Sequence, residues 1–408
     1  MAYDFDKTID RRGTGAFKWD ALEELFGSKD LLPMWVADME FETPPFIVDA
    51  LKERLSHPIF GYTKEPAGYW ERVCSWIGSH YGWTPDVSWM TFIPGIVKGI
   101  GMVVNAFLSE GDKVVIQSPV YHPFHIVPEG NGLEVVRNPL IHHEDGSYSM
   151  NFDNLESILS DPSCKLLILS NPHNPAGIVW DKETLCHLAD ICHSHGVLVI
   201  SDEIHCDMAL FGNKHIPFAS VSDTAASISI TFGAPSKTFN IAGIVSSYAI
   251  VPNKKLREKF FGWVEGNEFN GMPIFSGIAT MAAFTPEGEN WRREMISYLE
   301  GNVISVEDYC KEKLPMIKPL RPQASFLVWL DCRGLGLDHE KLIDLFVKKA
   351  GLALNDGAIF GKEGEGFMRL NIGCPRAMVL EALEKLHKAV LSSDYERAIS
   401  HICQGKEC

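Results

Sequence analysis

Three polar residues stand just beyond short apolar runs, at spacings that suit a single site. Asn174 follows the run in LLILSNPHNPAG (166–177), Asp202 closes the run in VLVISDEIH (197–205), and Lys237 lies in TFGAPSKTFNIAG (231–243), after an apolar run at 227–231. The steps are 28 residues, from 174 to 202, and 35 residues, from 202 to 237. Each run reads as a strand buried on both faces, broken by Asn, Gly or Pro. Ligands of open α/β sheets bind beyond the carboxyl ends of the strands, so the three side chains converge on one crevice. Most lysines are solvated surface charges. Lys237 is instead flanked by small and apolar residues, with no acidic residue within six positions. An amine in such a place is a candidate for a lowered pKa and for condensation with a carbonyl.

Two further stretches bring groups that bind anions. The segment WMTFIPG (89–95) reads as a strand and turn that lead into a helix over 96–108. The backbone N–H groups of Gly95, Ile96 and Val97 then sit unpaired at the positive end of a helix, a setting that suits a phosphate. Arg369 interrupts the apolar strand FMRLNIG (367–373) and needs an anionic partner, either a structural carboxylate or a ligand. The glycines at 99 and 101 lie inside the helix and lack a third, so a dinucleotide-binding reading is rejected; no G-x-x-x-x-G-K-[ST] loop is present either, which disfavours a nucleoside triphosphatase.

An amide, a carboxylate and an amine are the groups needed to hold a pyridoxal ring by its 3-oxygen, its ring nitrogen and its aldehyde. N-P-x-N-P-x-G, then D-E-x-H, then S-K-T, in this order, resemble the pyridoxal 5′-phosphate (PLP) enzymes of the aspartate aminotransferase fold (fold type I, class I/II aminotransferases). The resemblance covers almost the whole chain. It implies that Lys237 is the catalytic, Schiff-base lysine, that Asp202 pairs with the ring nitrogen and that Asn174 bonds the 3-oxygen. It also implies that Tyr121, after the S-P step, stacks on the ring. Gly95, Ile96, Val97 and Ser236 would hold the phosphate, with Tyr62 of the partner subunit, which makes the protein a homodimer with shared active sites. Arg369 would take the substrate α-carboxylate.

The strings MWVADMEF (34–41) and DRRGTGAFKWD (10–20) resemble the cystathionine β-lyase-like C–S lyase branch of that superfamily. Departures from many aminotransferases point the same way. His205 stands where a tyrosine would donate to the ring 3-oxygen, and it is included among the cofactor-binding residues. Val245 stands where an arginine would meet the phosphate, and no second arginine matches the one that binds a dicarboxylate side chain. The expected activity is β-elimination from cystathionine or related cysteine S-conjugates. A PLP-dependent aminotransferase and a regulatory protein on a lyase fold are the alternatives.

The elements that must position these groups imply an α/β fold. A large PLP-binding domain (46–288) would hold a mixed, mainly parallel seven-stranded sheet between helices. An N-terminal arm (1–45) and a smaller α+β domain (289–408) complete it. Periodicity predicts helices over 45–55, 70–81, 96–108, 151–160 and 182–195, and the apolar stretch 260–284 is read as the start of a long linking helix. The tail after 390 is polar and expected to be peripheral. A net charge of −16 disfavours nucleic acid and anionic membrane surfaces as partners. No apolar run approaches a bilayer span, and the N-terminus has no secretory h-region. Ten cysteines without a C-x-x-C pair fit free thiols in a reducing cytoplasm, and no histidine cluster completes a metal-ligand set.

Overall fold

The structure, a computed structural model, describes residues 3–392. The polar tail expected to be peripheral lies, from 393 onward, outside the described residues. The apolar runs do form strands: β1 (Met90–Ile93), β2 (Lys113–Ile116), β3 (Glu134–Arg137), β4 (Cys164–Ser170), β5 (Leu198–Asp202), β6 (Ser229–Gly233) and β7 (Ser247–Ile250). They make one seven-stranded sheet in the order β1-β7-β6-β5-β4-β2-β3. Only β7 runs against its neighbours; the other pairings are parallel. The central strands are buried on both faces, with Leu166, Leu167 and Ile168 fully enclosed, which is why their sequence is a continuous apolar run without alternation.

The helices α1 (Pro45–Leu55), α2 (Tyr69–Tyr81), α3 (Ile96–Phe107) and α4 (Lys182–Ser194) fall within a residue of their expected bounds. Asp181 caps α4 by accepting the Thr184 N–H at 2.7 Å. The reading of 260–284 needs correction. That stretch is divided between α5 (Lys254–Gly266) and α6 (Ile274–Ala283), and the long helix is α7 (Pro286–Lys313), 28 residues. The break falls on Asn270-Gly271 with Pro273 just beyond, and Glu268 there has a left-handed φ of 57°. Helix α7 starts where it does because Thr285 caps it, Pro286 opens it, and acidic residues occupy its first turn.

A smaller antiparallel sheet follows, formed by β8 (Lys318–Leu320), β9 (Leu327–Asp331), β10 (Asn355–Asp356) and β11 (Phe367–Asn371) in the order β8-β9-β11-β10. Helix α8 (Arg376–Val390) packs against α7 beside it. The N-terminal arm is fastened here: Leu32–Pro33 pairs in parallel with Leu352–Ala353. The two sheets meet tightly at Gly177. Its carbonyl accepts the N–H groups of Gln323 and Ala324 at 2.8 and 3.1 Å, and a Cβ on it would lie 2.7 Å from Pro322.

Candidate active site

Six strands of the large sheet run in one direction and end on the same side. Beyond those ends lies a cavity of about 300 Å³. Gly95, Ile96 and Val97 reach it from the β1–α3 turn, Tyr121 from beyond β2, Asn174 from beyond β4, Asp202 and His205 from β5, and Ser236 and Lys237 from beyond β6. The register places Asp202 beside Ser170 and Phe232 on the two flanking strands. Val245 also lines the cavity, so the departure from arginine falls on the wall itself.

The electrostatics follow from burial. Asp202 is 6% exposed and receives the Ile204 N–H at 3.1 Å, with no cationic side chain paired to it. Burial raises its carboxyl to about 7, against the Ile204 N–H and the positive charge of Lys237, which lower it. Lys237 donates from Nζ to the Ala37 carbonyl at 2.6 Å. Burial and the positive charge of Arg369 outweigh Asp38 and Asp202, and bring the amine down to about 8. His205 is held to about 3 by burial and by the nearby cations, so it is neutral, and its Nδ1 is 3.1 Å from Ser325 Oγ. Burial raises the Tyr121 phenol, which keeps it protonated.

Arg369 is 3% exposed, and burial lowers it to about 10. Its acceptors are all neutral: Asn174 Oδ1 at 2.9 Å, the Trp35 carbonyl at 3.1 Å and Asn355 Oδ1. Its Nε has no partner. A buried guanidinium without a carboxylate is a standing demand for an anion. It is not itself part of the cavity lining; it stands one hydrogen bond behind Asn174, whose backbone N–H is fixed by Ser170 Oγ at 3.1 Å. Tyr62 is not brought to the cavity of its own chain and is fully exposed, on a segment where Ile59 and Phe60 are also exposed.

The lining fits the PLP expected from the sequence. Asp202 is a buried carboxylate lacking a cation, which a protonated ring nitrogen supplies. Asn174 has its Nδ2 free to donate while Oδ1 is held. Gly95 has φ 115° and open space where a Cβ would be, which leaves the first-turn amides of α3 approachable. Sequence reasoning missed Trp35, Ala37, Ser170, Asn355 and Ser325. Trp35 and Ala37 act through backbone carbonyls, which carry no residue signature. Ser170 and Asn355 are common polar residues singled out only by their contacts. Among the described residues no His, Cys, Asp or Glu cluster could hold a metal ion, and no helix is long and apolar enough to cross a membrane.

Residues 29–386 match the family model "Aminotransferase class I and II". The chain is 46% identical over 388 residues to cystathionine beta-lyase PatB of Bacillus subtilis, covering 95% of this chain and 100% of that protein. It superposes on cystalysin from Treponema denticola, which contains a pyridoxal 5′-phosphate cofactor, with a TM-score of 0.91 at 33% identity, covering 96% and 99% of the two chains. The PLP-bound C–S lyase from Staphylococcus hominis gives 0.87 at 36% identity, covering 96% and 100%. With its sheet, its cavity and nearly its whole length accounted for, the chain belongs to the class I and II aminotransferase family, in the branch of the cystathionine β-lyases.

Proposed function

We propose that this protein is a PLP-dependent C–S β-lyase that cleaves cystathionine or a related cysteine S-conjugate, with water, to a thiol, pyruvate and ammonia. The observation that carries the reading is a lysine amine in the cavity, brought down to about 8, with a buried guanidinium that has no carboxylate partner one hydrogen bond behind the wall, through Asn174. The names of the Bacillus subtilis relative, a cystathionine beta-lyase, and of the Staphylococcus hominis C–S lyase support elimination over transamination.

Lys237 would hold the cofactor aldehyde carbon, Asp202 the ring nitrogen, Asn174 the 3-oxygen through Nδ2, and Tyr121 the ring face, with His205 neutral beside them. Gly95, Ile96, Val97 and Ser236 would hold the phosphate. PLP, when bound, supplies the electron sink that acidifies the substrate Cα–H and lets the Cβ–S bond break. Arg369 binds and orients the α-carboxylate, a planar fork suited to two oxygens. The Lys237 amine takes the Cα proton, and a base with a pKa near the working pH does so efficiently. The Ala37 carbonyl, 2.6 Å from Nζ, holds the ammonium that results.

The same reading divides the chain into the arm (1–45), the large domain (46–288) and the small domain (289–408). It makes the protein a homodimer in which the partner subunit's Tyr62 completes the phosphate site. The exposed Ile59, Phe60 and Tyr62 support that pairing. The eight described cysteines are all free, which supports a reducing, cytoplasmic setting.

The test is pyruvate release from L-cystathionine by the PLP-loaded protein with no keto-acid acceptor, alongside Lys237→Ala. Catalytic pyruvate release that falls by at least about a thousandfold in the variant is expected. Turnover only when a keto acid is added would replace the lyase with an aminotransferase. Cofactor uptake without turnover in either assay would favour a regulatory role.

A further inference from the structure

The segment at residues 35–40 touches both ends of the site. The Trp35 carbonyl accepts from Arg369 and the Ala37 carbonyl from Lys237. Alternating with these contacts, the same segment is gripped by Asn371, whose Nδ2 donates to the carbonyls of Val36 and Asp38. Beyond them Glu40 N–H donates to the Gly373 carbonyl at 2.7 Å.

Four charges lock this strap from the arm side. Lys18, 1% exposed, pairs through Nζ with Glu40 at 2.9 Å and Asp38 at 3.4 Å, and donates to the Asp38 carbonyl at 3.2 Å. Arg11 pairs with Asp38 at 2.7 Å and Glu40 at 2.9 Å. Trp19 Nε1 donates to the other Glu40 oxygen at 3.0 Å, and Trp35 Nε1 to the Lys18 carbonyl at 2.9 Å. Two cations and two anions balance, so the cluster ties the strap down without adding net charge to the cavity. Asp38 lies below its ordinary range: burial would raise it, and Lys18 and Arg11 overcome that.

We propose that Arg11, Lys18, Asp38 and Glu40 form a positioning lock: they fix the bent 35–40 strap so that one segment sets the spacing between the Lys237 amine and the Arg369 guanidinium. The lock rests on the reading of Lys237 and Arg369 given above. It gauges α-amino acids, whose reacting Cα and carboxylate must meet those two groups together. The charged or titratable groups facing Lys237 are Asp38 and Lys18 from the arm, Asp202 and His205 from β5 and the loop after it, and Arg369 from the small sheet. Asp38 raises the amine and Lys18 lowers it.

The test uses the full-length protein with Asp38→Asn, Lys18→Met, Arg11→Gln and the pair Lys18→Met/Glu40→Gln. In the cofactor-free chain, where the amine is open to reagent, trace acetylation read by mass spectrometry gives the pH midpoint of Lys237. Asp38→Asn is expected to lower that midpoint and Lys18→Met to raise it, with the paired variant returning towards wild type. In the loaded enzyme, Arg11→Gln is expected to raise KM for the amino acid roughly tenfold with kcat within about twofold. Midpoints that all move towards an ordinary lysine value, or do not move, overturn the lock, as does an unchanged KM in Arg11→Gln. If Lys18→Met does not fold, Asp38→Asn and Arg11→Gln still decide. Loss of the cofactor's visible absorbance in Lys237→Ala tests the cofactor reading separately, so either can fail while the other stands.

Discussion

The two halves of the site are built on different principles. Asn174, Asp202 and Lys237 stand at the ends of adjacent strands, and the hydrogen-bond ladder of the large sheet sets their separations. Arg369 also stands on a paired strand, opposite Trp329 and Asn355, but its guanidinium is held by side-chain bonds to partners 195 and 334 positions away, Asn174 and the Trp35 carbonyl. The first half is fixed by backbone pairing, which tolerates side-chain change. The second depends on a few named contacts across the joint between the sheets, so each of them counts for more. On the proposed reading, the groups that would hold a cofactor have the first kind of rigidity. On the same reading, the group that would bind substrate has the second, where small changes alter reach without disturbing the chemistry.

The sharpest way to break this comparison is Arg369→Lys. The charge survives but the fork does not, and the bonds to Asn174, Asn355 and Trp35 cannot all be remade. Loss of one or two charge-assisted hydrogen bonds is expected to cost about 10- to 100-fold in kcat/KM, chiefly through KM, with cofactor affinity unchanged. A fall in cofactor affinity as large as that in kcat/KM would mean the two halves are not separable.

Gly177→Ala tests the joint itself. Its φ is +68°, and the new Cβ would press on Pro322. A loss of about 1–3 kcal/mol of stability is expected, read by denaturant titration, as for overpacked positions generally. An unchanged midpoint would show that the contact between the sheets yields freely.

A pH-dependent effect concerns the sheet half. In the cofactor-free protein the Asp202 carboxyl is raised to about 7 from 3.8. The folded chain therefore binds a proton that the unfolded chain lacks between those values, and stability should decline as pH rises from about 4 to about 7. Asp202→Asn should remove that part of the slope. If thermal midpoints of the two proteins run parallel over this window, Asp202 is not the group responsible.

The same division governs what could be read from the sequence. Strand ends carry marks: an apolar run, a Pro or Gly break, then one polar residue. Asn174, Asp202 and Lys237 were legible for that reason, and Arg369 because a charge in an apolar strand is conspicuous. Helix bounds such as those of α1 followed from periodicity and from Pro45 at the first position. Trp35 and Ala37 stayed hidden because their role belongs to the backbone. Asn240 did too: it holds the lysine turn to the strap with bonds to Met39 and Phe41, from a left-handed φ of 53°. The misjudged linking helix had a visible signal in Asn270-Gly271 and Pro273, outweighed by the hydrophobicity around it.

Helix α7 acts as a lever. At 28 residues it is about 42 Å long. Its first turns are anchored to the large sheet's side, where Glu289 meets His80 and Arg292 donates to the Asp207 carbonyl. Thirteen residues further on, about 20 Å away, Asn302 donates to the carbonyls of Ile372 and Cys374, just past β11. A tilt of about 3° at the anchored end would carry that far contact through about 1 Å, a displacement that can cost on the order of a hundredfold in rate when it falls on a substrate-positioning group. Residues beneath the first turns of α7, remote from the cavity, are thus a handle for adjusting the reach of Arg369 without touching the site.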